Sequence, residues 1–211
     1  MLDTFKKLPK SRQEAILDTA AEVIAANGYH NASIADICQQ VDISNGALYK
    51  YFKNKESLFR AILDHGLYLM VNELYKKYVS PADTLVDSVR NLLTGLIQFT
   101  RGYRQYVCLY VDIGSCSMNS YATYISERIK REGRDFFIGL VEQSKRKGEI
   151  DPNIDSDLLA HGIDSLITLF AYSLVSEHHG RRFAGFFKTD RDLTDADKID
   201  IVVRSVQMMV R

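Results

Sequence analysis

Tryptophan is absent from these 211 residues, and proline and cysteine occur only three times each. Positive and negative side chains balance at 27 each, leaving no net charge. Each scarcity excludes something. Cys38, Cys108 and Cys116 are far apart and form no Cys-x-x-Cys pair, which argues against a disulfide scaffold or thiolate metal centre and for a reducing compartment. Three prolines and 12 glycines are too little punctuation for many short strands, so long helices are expected instead. A neutral chain has no global basic field to attract nucleic acid, so any such partner must be met by local charge. No apolar run of signal-peptide length follows the N-terminal lysines, and none reads as the roughly 20 apolar residues a bilayer span needs. The expectation is a cytoplasmic protein with no membrane partner. Nucleophile elbow, phosphate loop and His-Glu-x-x-His motif are all missing, so no enzyme, cofactor or metal site is expected.

What is present is helical patterning. Hydrophobic residues make up 46% and charged residues 26%, an ordinary globular balance. Ser11-x-x-Glu14 reads as a capping box opening a helix with Ile16, Ala20, Val23 and Ile24 on one stripe, stopped at Asn27-Gly28. Ser33 and Ser44 open two short helices separated by Asp42-Ile43-Ser44. Asn54 caps a long helix to about Tyr78. Further helices are expected from about Pro81 to Thr100, through the Tyr-rich stretch 103–113, from about Asn119 to Lys147, from Asp155 onward, and from the Thr194-x-x-Asp197 cap onward. Residues 180–192 read as a loop. No segment alternates like a strand, so the fold class is all-α.

Residues 33–52 have helix-turn-helix spacing, in which the second short helix enters the major groove. That helix offers small residues at its start (Asn45, Gly46, Ala47) for close approach to bases, with Tyr49, Lys50 and Tyr51 suited to phosphate oxygens. From Ser44 to Arg60, Lys50, Lys53, Lys55 and Arg60 oppose Glu56 alone, a local charge of +3 in a neutral chain. Lys55 sits where a helix N-terminus also favours phosphate.

Ser33-Ile34-Ala35-Asp36-Ile37, followed by Val41-Asp42-Ile43-Ser44-Asn45-Gly46-Ala47-Leu48-Tyr49-Lys50-Tyr51-Phe52-Lys53-Asn54-Lys55-Glu56-Ser57-Leu58, resembles the DNA-binding domain of TetR-family repressors. The match is close over about the first 65 residues; beyond them only the helical layout agrees. The resemblance implies a three-helix helix-turn-helix domain, residues 1–55, and a C-terminal helical bundle for ligand binding and dimerisation, residues 56–211. It implies that Ser33 caps its helix and touches phosphate, that Asn45, Gly46 and Ala47 face bases, and that Tyr49, Tyr51 and Lys55 hold the backbone of a palindromic double-stranded operator; the cap residue Ser44 and the cation Lys50 are further candidates for DNA contact on their own chemistry. Two positions depart from the family pattern: Ala35 stands where Arg is frequent, and Asp42 where the turn glycine is usual.

The resemblance also implies a homodimer through the last two long helices, about 155–178 and 194–210, and a small-molecule inducer among the central helices. Phe99, Tyr103, Tyr106, Tyr110, Tyr121, Phe137 and Phe170 are the candidate ligand residues, a ring-and-hydroxyl composition typical of small-molecule sites. Arg101, Arg104, Arg128, Lys130, Arg131 and Arg134 fit solvated faces better than an anion site, because acids are interleaved. His178-His179 point about 100° apart on a helix and chelate poorly, and His161 with Asp164 fits a polar interface better than a catalytic pair. The reading is a ligand-responsive regulator, most simply a repressor; control by a protein partner, or a helical carrier or enzyme, are the alternatives.

Overall fold

The structure, a computed structural model, describes residues 1–114, 118–187 and 192–210; Cys116 and part of the 180–192 segment lie outside them. Among the described residues every regular element is helical. A short helix α1 (Asp3–Lys6) precedes α2 (Lys10–Asn27), and α3 (Ile34–Val41) and α4 (Asn45–Tyr51) form the two-helix motif. The rod α5 (Lys55–Leu69) widens into a π turn (Met70–Tyr75) and ends in α6 (Lys76–Tyr78). Then come α7 (Leu85–Gly102), α8 (Arg104–Ile113) and α9 (Asn119–Ile129), with a second π turn (Lys130–Arg134) leading into α10 (Asp135–Arg146). The chain closes with α11 (Ser156–Val175), α12 (Glu177–Gly185) and α13 (Asp195–Met209).

Local chemistry sets most of these ends. Ser33 Oγ accepts from Asp36 N at 3.0 Å and Ser44 Oγ from Ala47 N at 3.1 Å. Asn54 and Ser57 form a reciprocal capping box on α5, as Thr194 and Asp197 do on α13, and Asp155 caps α11 through Leu158 N at 3.0 Å. Each satisfies an amide that a helix start leaves without a backbone partner. Gly28, at φ +77°, ends α2. Between α3 and α4 the chain turns through Asp42 in the left-handed region (φ +56°, ψ +57°), the one described non-glycine residue with positive φ. Arg12 braces that turn from α2 by donating to Val41 O at 2.9 Å.

Four expectations are corrected. Ser11 and Glu14 form no capping box: α2 begins at Lys10 behind Pro9, two residues before the expected cap, with no side-chain cap. The expected geometry is pre-empted by α1, whose trailing carbonyls at Lys6 and Leu8 accept from Gln13 Nε2. Pro81 does not open α7; Thr84 does, accepting from Asp87 N, while Pro81 sits in a turn closed by the Asp83 carboxylate on Ser80 N. Residues expected in a loop form α12, because Ser176 caps it and Phe183 packs on Phe170. Finally, α11 has 20 residues and a mean hydropathy of 1.5, long and apolar enough by composition to cross a membrane. Here it packs against α7, α8, α10, α12 and α13.

The core is continuous from head to tail. Ile16, Ala20, Val23 and Ile24 of α2 meet Ile37 and Val41 of α3, Leu48 of α4, and Leu58, Phe59 and Ile62 of α5. The central helix α7 buries Leu85, Val89, Leu92, Leu93 and Leu96. Its Gly95 lies under the Tyr78 ring, where a Cβ would come within 2.4 Å of ring carbon, so α6 can pack on α7 only with glycine there. The turn residue Asp42 gives a direct check. A β-branched side chain in the left-handed region should cost about 1–2 kcal/mol, so Asp42→Val is expected to lower the denaturant midpoint accordingly. Asp42→Gly, which relieves the strain but loosens the unfolded chain, should stay within about 1 kcal/mol of the parent.

Candidate functional site

The N-terminal head presents α4 outward. Ser44, Asn45, Gly46, Tyr49 and Lys50 are exposed, with Tyr49 51% accessible, while Leu48 and Phe52 are buried and fix the helix. Ala47 and Tyr51 are half-buried, the Tyr51 ring packing edge-on to Phe5 at 5.8 Å. The small helix α1 clamps α4 from behind: Phe5 is fully buried against Phe52, Leu2 N donates to Tyr51 O at 3.0 Å, and Thr4 donates to Lys50 O. Sequence reasoning missed α1; the apolar pair Leu2 and Phe5, three apart, was its signal.

Ser33 and Lys55 flank the same face, both half-buried. Lys55 is engaged within the chain: its Nζ lies 4.7 Å from the Tyr29 ring centre and donates to His30 O at 3.3 Å. Burial lowers its pKa. Lys50 and Lys53 are exposed, and among the described residues no acid pairs with either, so the face carries local positive charge beside the exposed Tyr49.

A second feature lies among the central helices. An outer chamber of about 620 Å³ is bounded by Tyr110, Ile113, Ile125, Ser126, Arg134, Phe137, Ile138, Asp157, His161, Asp164 and Tyr172. An inner chamber of about 100 Å³ is almost wholly apolar, with Leu63, Leu67, Met70, Leu74, Leu96, Val107 and Ile167 in its wall. Tyr110, Ile113, Ile125, Phe137 and Asp164 belong to both and form the waist between them. Of the rings expected at a pocket, Phe99, Tyr106, Tyr110 and Phe137 line it. The other three stand elsewhere. Tyr103 stacks behind Phe99 at 5.0 Å, Tyr121 packs on Tyr29 and Phe59, and Phe170 is fully buried beside Phe183. Tyr75, His161, Asp164 and Tyr172 were not anticipated here; an acid inside the apolar run of α11 was the available signal. Burial pushes the Tyr110 hydroxyl up to about 12 and raises the Asp164 carboxyl, the latter partly offset by His161.

The arginines considered for an anion site are mostly paired. Arg101 meets Asp195 at 3.0 Å, Arg128 meets Asp64, and Arg134 meets Asp157 at 2.8 Å. Arg104 instead closes α11 by donating to Leu174 O and Val175 O.

Residues 16–62, from α2 through the two short helices into α5, match the sequence profile described as bacterial regulatory proteins, tetR family. That segment is a tetR-family DNA-binding segment. The fatty acid metabolism regulator protein of Bacillus subtilis is 40% identical over 76 residues, 34% of this chain and 38% of that protein. The HTH-type transcriptional regulator UidR of Escherichia coli is 27% identical over 161 residues, 74% of this chain and 78% of that one. The transcriptional regulator FadR from Bacillus subtilis, solved in complex with stearoyl-CoA, has a TM-score of 0.70 at 19% identity, covering 93% of this chain and 96% of that one; it shares the fold. The tetR family is one of transcriptional regulators, not enzymes.

In this chain the head and the cavity share a helix. One side of α8 packs on α2, and Tyr106 Oη donates to Asp18 Oδ1 at 2.7 Å. The same residue lines the inner chamber. His65 Nε2 lies 3.6 Å from the same carboxylate oxygen. Gly66 makes room, since a Cβ there would reach within 2.8 Å of the Tyr106 ring. A second tie comes from α9: Tyr121 is edge-on to Tyr29 and Phe59, and Tyr124 Oη donates to Asp64 at 2.8 Å.

Burial alone would raise the Asp18 carboxyl, but hydrogen bonds from His65 and Tyr106 outweigh it and hold the group below the usual carboxylate range. A depressed folded pKa contributes stability above the unfolded value, near 4, and that contribution is lost as pH falls through the folded value. Asp18→Asn should therefore flatten the acid limb of stability below about pH 4. Tyr106→Phe should cost about 1 kcal/mol at neutral pH. Thermal melts across pH check both; an unchanged acid limb in Asp18→Asn would remove Asp18 from the joint.

Proposed function

We propose that this chain is a dimeric transcriptional repressor that binds a palindromic operator through α3 and α4 and is released by a small amphipathic ligand held in the two-chamber cavity. The observation that carries the reading is α8, which belongs at once to the cavity wall and to the support of the head. Residues 1–55 form the reading head and residues 56–211 the sensing and dimerising part, with α5 continuous between them. Asn45, Gly46 and Ala47 meet base edges; Ser33, Ser44, Tyr49, Lys50, Tyr51 and Lys55 meet phosphate. For Lys55 this requires leaving Tyr29 or contacting phosphate from that shelf.

The ligand carries an apolar chain for the inner chamber and a polar head for the outer one. The regulator of fatty acid metabolism among the relatives, and the stearoyl-CoA complex of a protein with this fold, support an acyl derivative as the class to test first. A sizeable cavity also weighs against control by a protein partner alone. Release follows if the ligand binds one spacing of the two heads better than the other, since a ligand shifts a conformational equilibrium only by its differential affinity.

The dimer uses α11 and α13. Both keep apolar side chains on the outside: Leu158 is 70% and Leu169 53% accessible, with Met208 and Met209 beside them. Ile167 and Val203 are buried inside the protomer, so a charge there would unfold the chain rather than separate a dimer. Leu169→Asp is the appropriate disruption. It should give a monomer by light scattering with an unchanged helical spectrum; a persisting dimer would move the interface elsewhere.

Selection of bound duplexes from a random DNA pool, at stated salt, tests the head. A palindromic consensus is expected. On that duplex Lys50→Ala should weaken binding evenly across sequences and reduce the salt slope by about one. Asn45→Ala should instead relax preference at one position, at a cost of about 1–3 kcal/mol. An intact preference in Asn45→Ala would take base recognition away from that residue.

A further inference from the structure

The waist of the cavity has a charge balance that constrains what can pass it. Besides its tyrosines, four ionisable side chains line the outer chamber: Arg134, Asp157, His161 and Asp164. The one guanidinium is already committed, donating to Asp157 at 2.8 Å and lying 3.6 Å from Asp135. Asp164 alone reaches both chambers. The groups facing it are Tyr75 from the π turn, Tyr110 from α8, and His161 one turn away on α11. Both tyrosines are neutral, their hydroxyls pushed up by burial. Among the described residues no lysine or arginine pairs with Asp164, and no hydrogen bond reaches its carboxylate.

No fully buried side-chain oxygen or nitrogen among the described residues lacks a partner. The unpartnered Asp164 oxygens are therefore the accessible kind, and the space they open on is the cavity that Asp164 lines. A carboxylate left without a donor in a partly apolar enclosure is costly, and the cost falls when a ligand supplies the donor. The same carboxylate repels a second carboxylate brought beside it, and the enclosure weakens solvent screening of that repulsion.

On the reading that this cavity is the ligand site, we propose that Asp164 selects neutral acyl compounds over free acids: it accepts a hydrogen bond from an amide or hydroxyl placed where the ligand's apolar chain meets its head, and it rejects a carboxylate there. Ile113, Ile125 and Phe137 surround the chain at that depth, and Tyr110 offers its hydroxyl to the ligand's carbonyl. Such a sensor responds to the derivatised form of an acyl chain and ignores the unmodified acid.

Hexanamide and sodium hexanoate, matched in size and differing only in charge and donor capacity, test this by calorimetry on the full-length protein at pH 8. The wild-type chain should bind hexanamide at least about tenfold more tightly than hexanoate, the scale of one hydrogen bond to a charged group. Asp164→Asn should bring the two within about threefold, mainly by raising the affinity for hexanoate. Equal binding of both by the wild type, or a ratio that survives in Asp164→Asn, overturns the proposal while leaving the cavity a ligand site. Binding of neither overturns both the proposal and the ligand part of the proposed function. Equal binding by the wild type overturns the proposal even if the variant folds poorly.

Discussion

The hydrogen bond from Tyr106 to Asp18 joins the two working parts of this molecule, and the geometry around it leaves little freedom. Tyr106 sits on α8 with its ring in the inner chamber and its hydroxyl on α2. The ring approaches α5 so closely that only glycine fits at position 66, and His65, the residue before it, leans on the same carboxylate. Three helices thus meet at one partly buried acid. Protein interiors at this packing density change arrangement by discrete shifts rather than smooth deformation, so a movement of α8 either carries α2 with it or breaks that bond.

The head needs such support because its recognition element is too short to stand alone. Seven residues, α4, would not be helical in water. It is held by Leu48 and Phe52 in the core, by Ser44 at its start, by α1 across its back, and by the left-handed turn at Asp42 that aims it. Its exposed residues are therefore placed by tertiary contacts. The head shares its core with α2, so on the proposed reading coupling to the cavity need only act on α2.

Much of this was legible in the sequence where the controlling interaction was local. Caps at Ser33, Ser44, Asn54, Asp155 and Thr194 depend on residues within one turn, and the structure has them all. The turn at Asp42 was visible as an acid in a glycine position, because Asp tolerates the left-handed region. Where a distant partner decided the outcome, the pattern misled. Ser11 and Glu14 have capping-box spacing, but α1 and Gln13 occupy that corner first. The stretch after Ser176 is polar and glycine-containing, yet Phe183 finds Phe170 and a helix forms. The rings of the middle region could be recognised as a group, but which of them face a void depends on how α7, α8, α9 and α11 cross. Tyr121 and Phe170 thus fell into packing and Asp164 into the cavity.

The cavity and the joint overlap in a way that bears on coupling. Its wall includes Tyr106, Tyr110 and Ile113 from α8 and Ile125 from α9, and these two helices carry the two ties to the head. The α8 tie is a hydrogen bond to a carboxylate held ionised by its neighbours; the α9 tie is an aromatic cluster of Tyr29, Phe59 and Tyr121 with Tyr124 bonded to Asp64. The Tyr29 ring also forms the shelf on which Lys55 rests. On the proposed reading, a ligand that spread α8 from α9 would act on both ties at once and so would tilt the head rather than merely loosen it. Tilting costs less than detaching, because it leaves both the carboxylate's hydrogen bond and the ring cluster in place. On the proposed reading of a ligand-responsive dimer, that asymmetry favours a change in head spacing over unfolding of the head.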